Sequence, residues 1–270
     1  MNPNKALWEK GDFTRIAAAM RESGDALIEG LSLTPGMDVL DLGCGDGTTA
    51  LPAARRGANV TGVDIAENLV AAGNRRAVEA GLSNLRFQQG DASDLREIAD
   101  GSFDLVVSIF GAMFAPRPFD VAREMVRVTR SGGRIVMGNW IPGDPTLIAQ
   151  VLKTSAAYSP PPPDGFISPV TWGVETEVRD RFQQAEVPIE NVFCERATYI
   201  FQTSAPPSEL LKTFKQYYGP TMNAFEAASK TGMAEKLESE LLQLFEANNR
   251  GGPNSTDIPA TFLKVTVRKP

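Results

Sequence analysis

The sequence contains no histidine. That gap removes the usual general base, the commonest metal ligand and every Ser-His-Asp or Cys-His arrangement before any motif is read. Cysteine is nearly as scarce. Cys44 and Cys194 lie far apart, outside any Cys/His cluster spaced for zinc or a disulfide framework, so both read as reduced thiols and no metal site is expected. No apolar run approaches the roughly 20 residues of a membrane span, and Met1 to Gly30 lacks the basic-then-apolar order of a secretory signal. The expectation is a cytoplasmic protein without a membrane partner. Dense Lys/Arg stretches are also missing: the formal net charge is −6 with both signs interspersed, which leaves nothing to track a phosphate backbone. Nucleic acid is therefore not an expected partner.

What is present is enough apolar residue for one sizeable core, 42% of 270 residues. A single domain is expected over 1–270, with N-terminal helices over 1–35, a ligand-binding core over 36–140, and the remaining strands over 141–270. Apolar runs bounded by Gly, Asn or Asp predict strands at 37–42, 59–63, 85–89, 103–109 and 134–139, and amphipathic stretches between them predict helices. This alternation implies right-handed crossovers and a mostly parallel α/β sheet covered on both faces. After Trp140 the rhythm changes. Prolines confine a helix to about 146–158, further helices are expected at 175–184, 207–218 and 222–248, and strands at 191–201 and 262–267 could complete a seven-stranded sheet as an antiparallel pair. The excursion over about 207–248 reads as a helical cap.

The informative motif is Asp41-Leu42-Gly43-Cys44-Gly45-Asp46-Gly47, at a strand end and a helix start. Glycines there allow a backbone too close and too sharply bent for side chains, beside a helix N-terminus. Asp64 follows at the end of the next strand, about 20 residues on, where an acid can accept hydrogen bonds from both hydroxyls of a ribose. A dinucleotide enzyme would have G-x-G-x-x-G, but position 48 is Thr and the third glycine comes one residue early. An acidic Asp46 would also repel a pyrophosphate.

This pattern resembles the first motif of the class I S-adenosylmethionine-dependent methyltransferases. The resemblance extends through Asp64-Ile65, Gly90-Asp91-Ala92, Phe103-Asp104-Leu105-Val106 and Val128-Thr129-Arg130-Ser131-Gly132-Gly133, in the right order, and covers about 36–140. Ser108 to Pro116, Asn139-Trp140 and Trp172-Gly173 further resemble the branch related to ubiquinone and menaquinone biosynthesis methyltransferases. The resemblance implies a Rossmann-like sheet and S-adenosylmethionine as cofactor. Asp41, Gly43, Cys44, Gly45 and Thr48 would surround its amino-acid end, Asp64 and Ile65 its ribose and adenine, and Asp91 and Ala92 its adenine. Ser108 and Trp8 are counted with the same site. Other readings stay open: Asp91 as a helix N-cap, Asp41 as a structural carboxylate, Cys44 as a small filler, and Trp8 with Phe13 as packing rather than a lid.

The implied reaction transfers a methyl group to a small, partly apolar acceptor, with a homodimer among the options. An in-line displacement at a sulfonium needs no acid for its leaving group, and holding the reactants in line supplies much of the acceleration. No catalytic base can be named. Asp12, Tyr217 and Tyr218 are the polar candidates, with packing as the alternative for the tyrosines. A catalytically silent cofactor-binding or interaction module is the competing function. A nicotinamide oxidoreductase is disfavoured by the loop spacing and the lack of Tyr-x-x-x-Lys.

Overall fold

A computed structural model describes residues 4–270 of the chain. The strands are β1 (Asp38–Leu42), β2 (Asn59–Asp64), β3 (Leu85–Gln89), β4 (Phe103–Ile109), β5 (Thr129–Trp140), β6 (Val192–Thr203) and β7 (Thr256–Arg268). Among the described residues they form one seven-stranded sheet in the order β3-β2-β1-β4-β5-β7-β6. The first five are parallel. β7 returns antiparallel to β5, and β6 runs antiparallel to β7.

The apolar runs of β1 and β4 follow from their central place, because a parallel strand covered on both faces needs hydrophobic residues on both. Val39, Leu40, Leu42, Leu105, Val106 and Val107 are fully buried. On one face α3 (Arg21–Glu29), α4 (Ala50–Arg55) and α5 (Glu67–Glu79) bring Ile28, Leu51 and Ala77 onto Val39, Val60 and Leu105. On the other, α6 (Pro118–Val128) and α8 (Glu175–Gln184) pack Val121, Met125 and Phe182 against Leu40 and Val106. In α6 a proline stands in the first turn, where its missing N–H is harmless, and Val121, Met125 and Val128 form its buried stripe.

Three boundaries depart from the expectation. β5 begins at Thr129 because the expected Ser131-Gly132-Gly133 turn is an irregularity within the strand: Thr129 faces Phe103 but Arg134 already faces Leu105. Gly132 takes φ +78 there. β7 begins at Thr256, ahead of Pro259. The proline is tolerated because β5 reaches only Phe262 on β7, leaving one side of the strand at Pro259 without a ladder partner from β5. The helix expected over 222–248 is two, α10 (Gly219–Lys230) and α11 (Ala234–Asn248), broken where Gly232 adopts φ +70. With α7 (Leu147–Ala157) and α9 (Pro207–Tyr217) they cover the β6/β7 side through Phe201, Phe214, Leu241 and Phe245. At the N-terminus stand α1 (Asn4–Lys10) and α2 (Phe13–Ala18). No helix among the described residues is long and apolar enough to cross a membrane.

Where the strand order reverses, between β1 and β4, the following loops touch backbone to backbone. A methyl group placed on Gly111 would lie 2.2 Å from the Gly43 carbonyl oxygen, and one on Gly43 would lie 2.7 Å from the Gly111 Cα. Backbone atoms cannot rotate away as a side-chain tip can. Gly111→Ala is therefore expected to destabilise the protein by about 2–3 kcal/mol in urea unfolding. Gly30→Ala, whose added methyl would meet nothing closer than 3.4 Å, should change stability by less than about 1 kcal/mol.

Candidate active site

The loops after β1, β2 and β4 enclose a cleft of about 920 Å³, including its open mouth. It lies at the carboxyl ends of the strands beside the reversal of strand order, the place where open α/β sheets hold ligands. Its polar side is assembled by backbone. Gly43, Gly45 and Gly47 all have positive φ, which folds the loop back onto β2. The Gly43 and Cys44 N–H groups donate to the Val63 carbonyl at 2.7 and 3.1 Å. Gly45 N–H donates to Asp64 Oδ2 at 2.8 Å and Ala66 N–H to Oδ1 at 2.9 Å. Asp64, 8% exposed, is thus aimed along the cleft wall. Burial pushes its carboxyl up, against the backbone hydrogen bonds that favour the charged form.

Ile65, Gly90, Ala92, Thr48 and Trp8 line the same cleft with Gly43, Cys44 and Gly45. Thr48 accepts a hydrogen bond from Arg21 at 2.6 Å. Cys44 packs its sulfur toward β2, 3.0 Å from where a methyl on Gly62 would sit. Burial and the neighbouring carboxylates raise its thiol well above the ordinary range, so it is an inert filler and not a nucleophile.

Three expected site residues stand outside the cleft lining. Asp41 lies beneath the loop, fully buried, and accepts from Thr49 Oγ1 at 2.5 Å; it anchors the start of α4. Ser108 donates to the Leu42 carbonyl at 2.6 Å and accepts from Ala112 N–H at 3.0 Å, which stitches the ends of β1 and β4 together. Asp91 turns back to accept from Ser93 N–H and Oγ at 2.9 and 2.7 Å, an Asx turn with no helix behind it, while its neighbours Gly90 and Ala92 reach the cleft. Asp46, the loop acid that argues in sequence against a pyrophosphate, is 2% exposed. It forms ion pairs with Arg21 and Arg76. Asp12 is occupied as the N-cap of α2, accepting from Thr14 N–H.

The opposite wall is aromatic. Trp8, Phe13, Met20, Phe110 and Phe114 line the cleft and also a narrow second chamber behind it, about 320 Å³ including its open mouth, completed by Trp140, Phe201, Phe214 and Tyr218 among others. Phe110 holds φ +63, a conformation that costs a bulky residue roughly 1–2 kcal/mol. Its ring is repaid by stacking on Trp140 at 3.6 Å and by edge contacts with Tyr199 and Phe262.

Residues 40–137 match the family of methyltransferase domains. An uncharacterised protein of Mycobacterium tuberculosis is 32% identical over 243 residues, 89% of this chain and 86% of that protein. The nocamycin O-methyltransferase of Saccharothrix syringae is 40% identical over 111 residues, 40% of this chain and 39% of that one. The phosphoethanolamine N-methyltransferase 2 of Haemonchus contortus, solved with S-adenosylhomocysteine, has the same fold at TM-score 0.62 and 14% identity, covering 100% of this chain and 61% of that one. The chain belongs to the class I S-adenosylmethionine-dependent methyltransferases.

The cofactor of this methyltransferase is S-adenosylmethionine, and the cleft suits its chemistry. A methyl on Gly45 would meet nothing closer than Phe13 at 3.8 Å, so the loop leaves open space at its centre. A buried carboxylate and a hydrophobic wall flank that space. Phe110 and Trp140 stand in segments that carried the resemblance but were given no place in the site, and sequence reasoning missed Arg21 and Tyr199 altogether. The last two reach the site from distant elements without a local motif to betray them.

Burial raises the Asp41 carboxyl to about 7, with the nearby Asp64 charge adding to it against the Thr49 hydrogen bond. The folded chain thus keeps a proton that the unfolded chain releases near pH 4. Stability from this group is full below about pH 4, falls as pH rises toward about 7 and is flat above. Asp64 contributes with the same sign. Urea midpoints measured at pH 5 and pH 8 should therefore drop more in the parent than in Asp41→Asn. Equal drops would show that Asp41 is ionised throughout.

Proposed function

We propose that this methyltransferase methylates a small, partly apolar acceptor held in the aromatic chamber beside the cofactor cleft. The observation that carries the reading is the shared wall: Trp8, Phe13, Met20, Phe110 and Phe114 face both spaces. A molecule in the chamber would lie next to a cofactor in the cleft without leaving cover. In this reading Asp64 holds the ribose hydroxyls, Ile65 and Ala92 the adenine, and Gly43 to Gly45 with Thr48 the amino-acid end. Trp8 closes over them.

When bound, the cofactor supplies a methyl group on a sulfonium cation, which leaves as a neutral thioether when an acceptor lone pair takes the methyl. The residues of this chain hold the partners in line and keep water out. Asp46 is already neutralised by Arg21 and Arg76, so it offers no competing seat for the cation. The chamber wall suits a flat hydrophobic body. The free thiols Cys44 and Cys194 suit a reducing, cytoplasmic compartment.

Calorimetry should give low- to mid-micromolar binding of S-adenosylmethionine, with Asp64→Ala weaker by about 1.5–3 kcal/mol while still folded. Undiminished binding by that variant would move the ribose site elsewhere. Phe214→Leu should alter turnover across a panel of small aromatic hydroxy and amino compounds, followed as S-adenosylhomocysteine release. Its cofactor affinity should stay within about twofold of the parent. An unchanged acceptor profile would remove the chamber from the reaction.

A further inference from the structure

Two tyrosines are buried around the paired cavities, and their hydroxyls are treated differently. Tyr199 donates to the Met20 carbonyl at 3.0 Å. Tyr218 is 4% exposed and lines the chamber, yet its hydroxyl has no hydrogen-bond partner among the described residues. It is not one of the fully enclosed unpaired polar atoms among the described residues, so it keeps open space beside it in which a partner can reach it. The surrounding wall offers little else that is polar: Ile16, Phe110, Phe114, Phe201 and Phe214 are carbon-faced.

The Tyr218 ring is also held in place. Tyr218 sits between α9 and α10, where its N–H donates to the Phe214 carbonyl at 3.0 Å and its carbonyl accepts from Met222 N–H at 2.9 Å. The next residue, Gly219, packs so closely on α1 that a methyl there would lie 2.7 Å from the Leu7 carbonyl. The ring lies 5.2 Å from Phe214, 6.1 Å from Trp8 and 6.3 Å from Phe13. A hydroxyl fixed at an aromatic wall can orient a flat molecule by one polar atom.

We infer that Tyr218 positions the acceptor, its hydroxyl donating a hydrogen bond to the nucleophilic oxygen of a planar phenolic acceptor; this rests on the chamber being the acceptor site. Burial pushes the phenol's ionisation upward, so at neutral pH the group is a donor and not a base. The role is one of orientation. A phenol lying among Trp8, Phe13 and Phe214 would accept this bond on one lone pair of its oxygen and keep the other free to face the methyl. A hydrocarbon of the same shape would gain only the burial.

The test uses 2-naphthol and naphthalene as probes with the full chain loaded with S-adenosylhomocysteine. The ratio of their affinities should fall about three- to tenfold in Tyr218→Phe, the size of one hydrogen bond. Affinities for naphthalene and S-adenosylhomocysteine should hold within about twofold. Phe214→Leu should change the binding of both probes and so locate them in the chamber. An unchanged ratio in Tyr218→Phe, with both probes still sensitive to Phe214→Leu, overturns the Tyr218 assignment and leaves the chamber standing. Failure of the parent to bind either probe, or binding indifferent to Phe214→Leu, overturns the chamber reading and the Tyr218 assignment together.

Discussion

The contact between the Gly43 and Gly111 backbones sets the geometry on which the site depends. Consecutive strands spread in opposite directions from β1 and β4, so the loops leaving them would part and open a slot into the core. Direct backbone contact closes that slot and forms a floor. Ser108 reinforces it by binding one group from each side, the Leu42 carbonyl and the Ala112 N–H. With the floor closed, the amides of Gly43, Cys44 and Gly45 are all engaged by β2 or by Asp64. The loop therefore takes its shape from the protein itself, and little ordering remains to oppose a ligand.

That loop gathers three buried carboxylates, Asp41, Asp46 and Asp64, which cannot all remain as uncompensated charges in a medium of low dielectric. Each is settled differently. Asp46 has two arginines. Asp41 has a hydroxyl donor and a raised tendency to keep its proton. Asp64 has backbone amides and faces the cleft, which leaves it the carboxylate best placed to meet a ligand. The arginine solution also links parts of the chain: Arg21 belongs to α3, so the helix that follows the ones carrying Trp8 and Phe13 is tied to the glycine loop by a half-buried ion pair.

Much of this was legible before the fold was known, for reasons that can be located. The strands at 85–89 and 103–109 and the helix at 175–184 coincide with β3, β4 and α8, because a buried parallel strand and an amphipathic helix each carry a local period. The glycine loop and Asp64 were legible because their spacing is itself the motif. Asp41, Ser108 and Asp91 were harder. Sequence places them at strand ends next to the cleft, but side-chain direction decides whether such a residue faces a ligand or the backbone behind it. The Asp46 pairing was hidden for another reason: its partners lie 25 and 30 residues away, and nothing local announces them.

The aromatic chamber shows the limit most clearly, since Trp8, Phe110, Trp140, Phe201 and Phe214 come from α1, the loop after β4, the end of β5, β6 and α9. In sequence Trp8 is counted with the cofactor site, but nothing there joins the other four to it or to one another. The fold brings them together because β7 and β6 extend the sheet past β5 in the antiparallel sense, which carries their aromatic residues toward the same end as the β4 loop. The strained Phe110 is the joint between the two halves: its ring stacks on Trp140 while its surface serves both cavities. A polar half built on β1 and β2 and a dry half built on β4 to β7 thus meet along one line of side chains. Methyl transfer from a sulfonium needs such a boundary. The cation must be held by polar groups on one side, and on the other its methyl must meet a nucleophile sheltered from water.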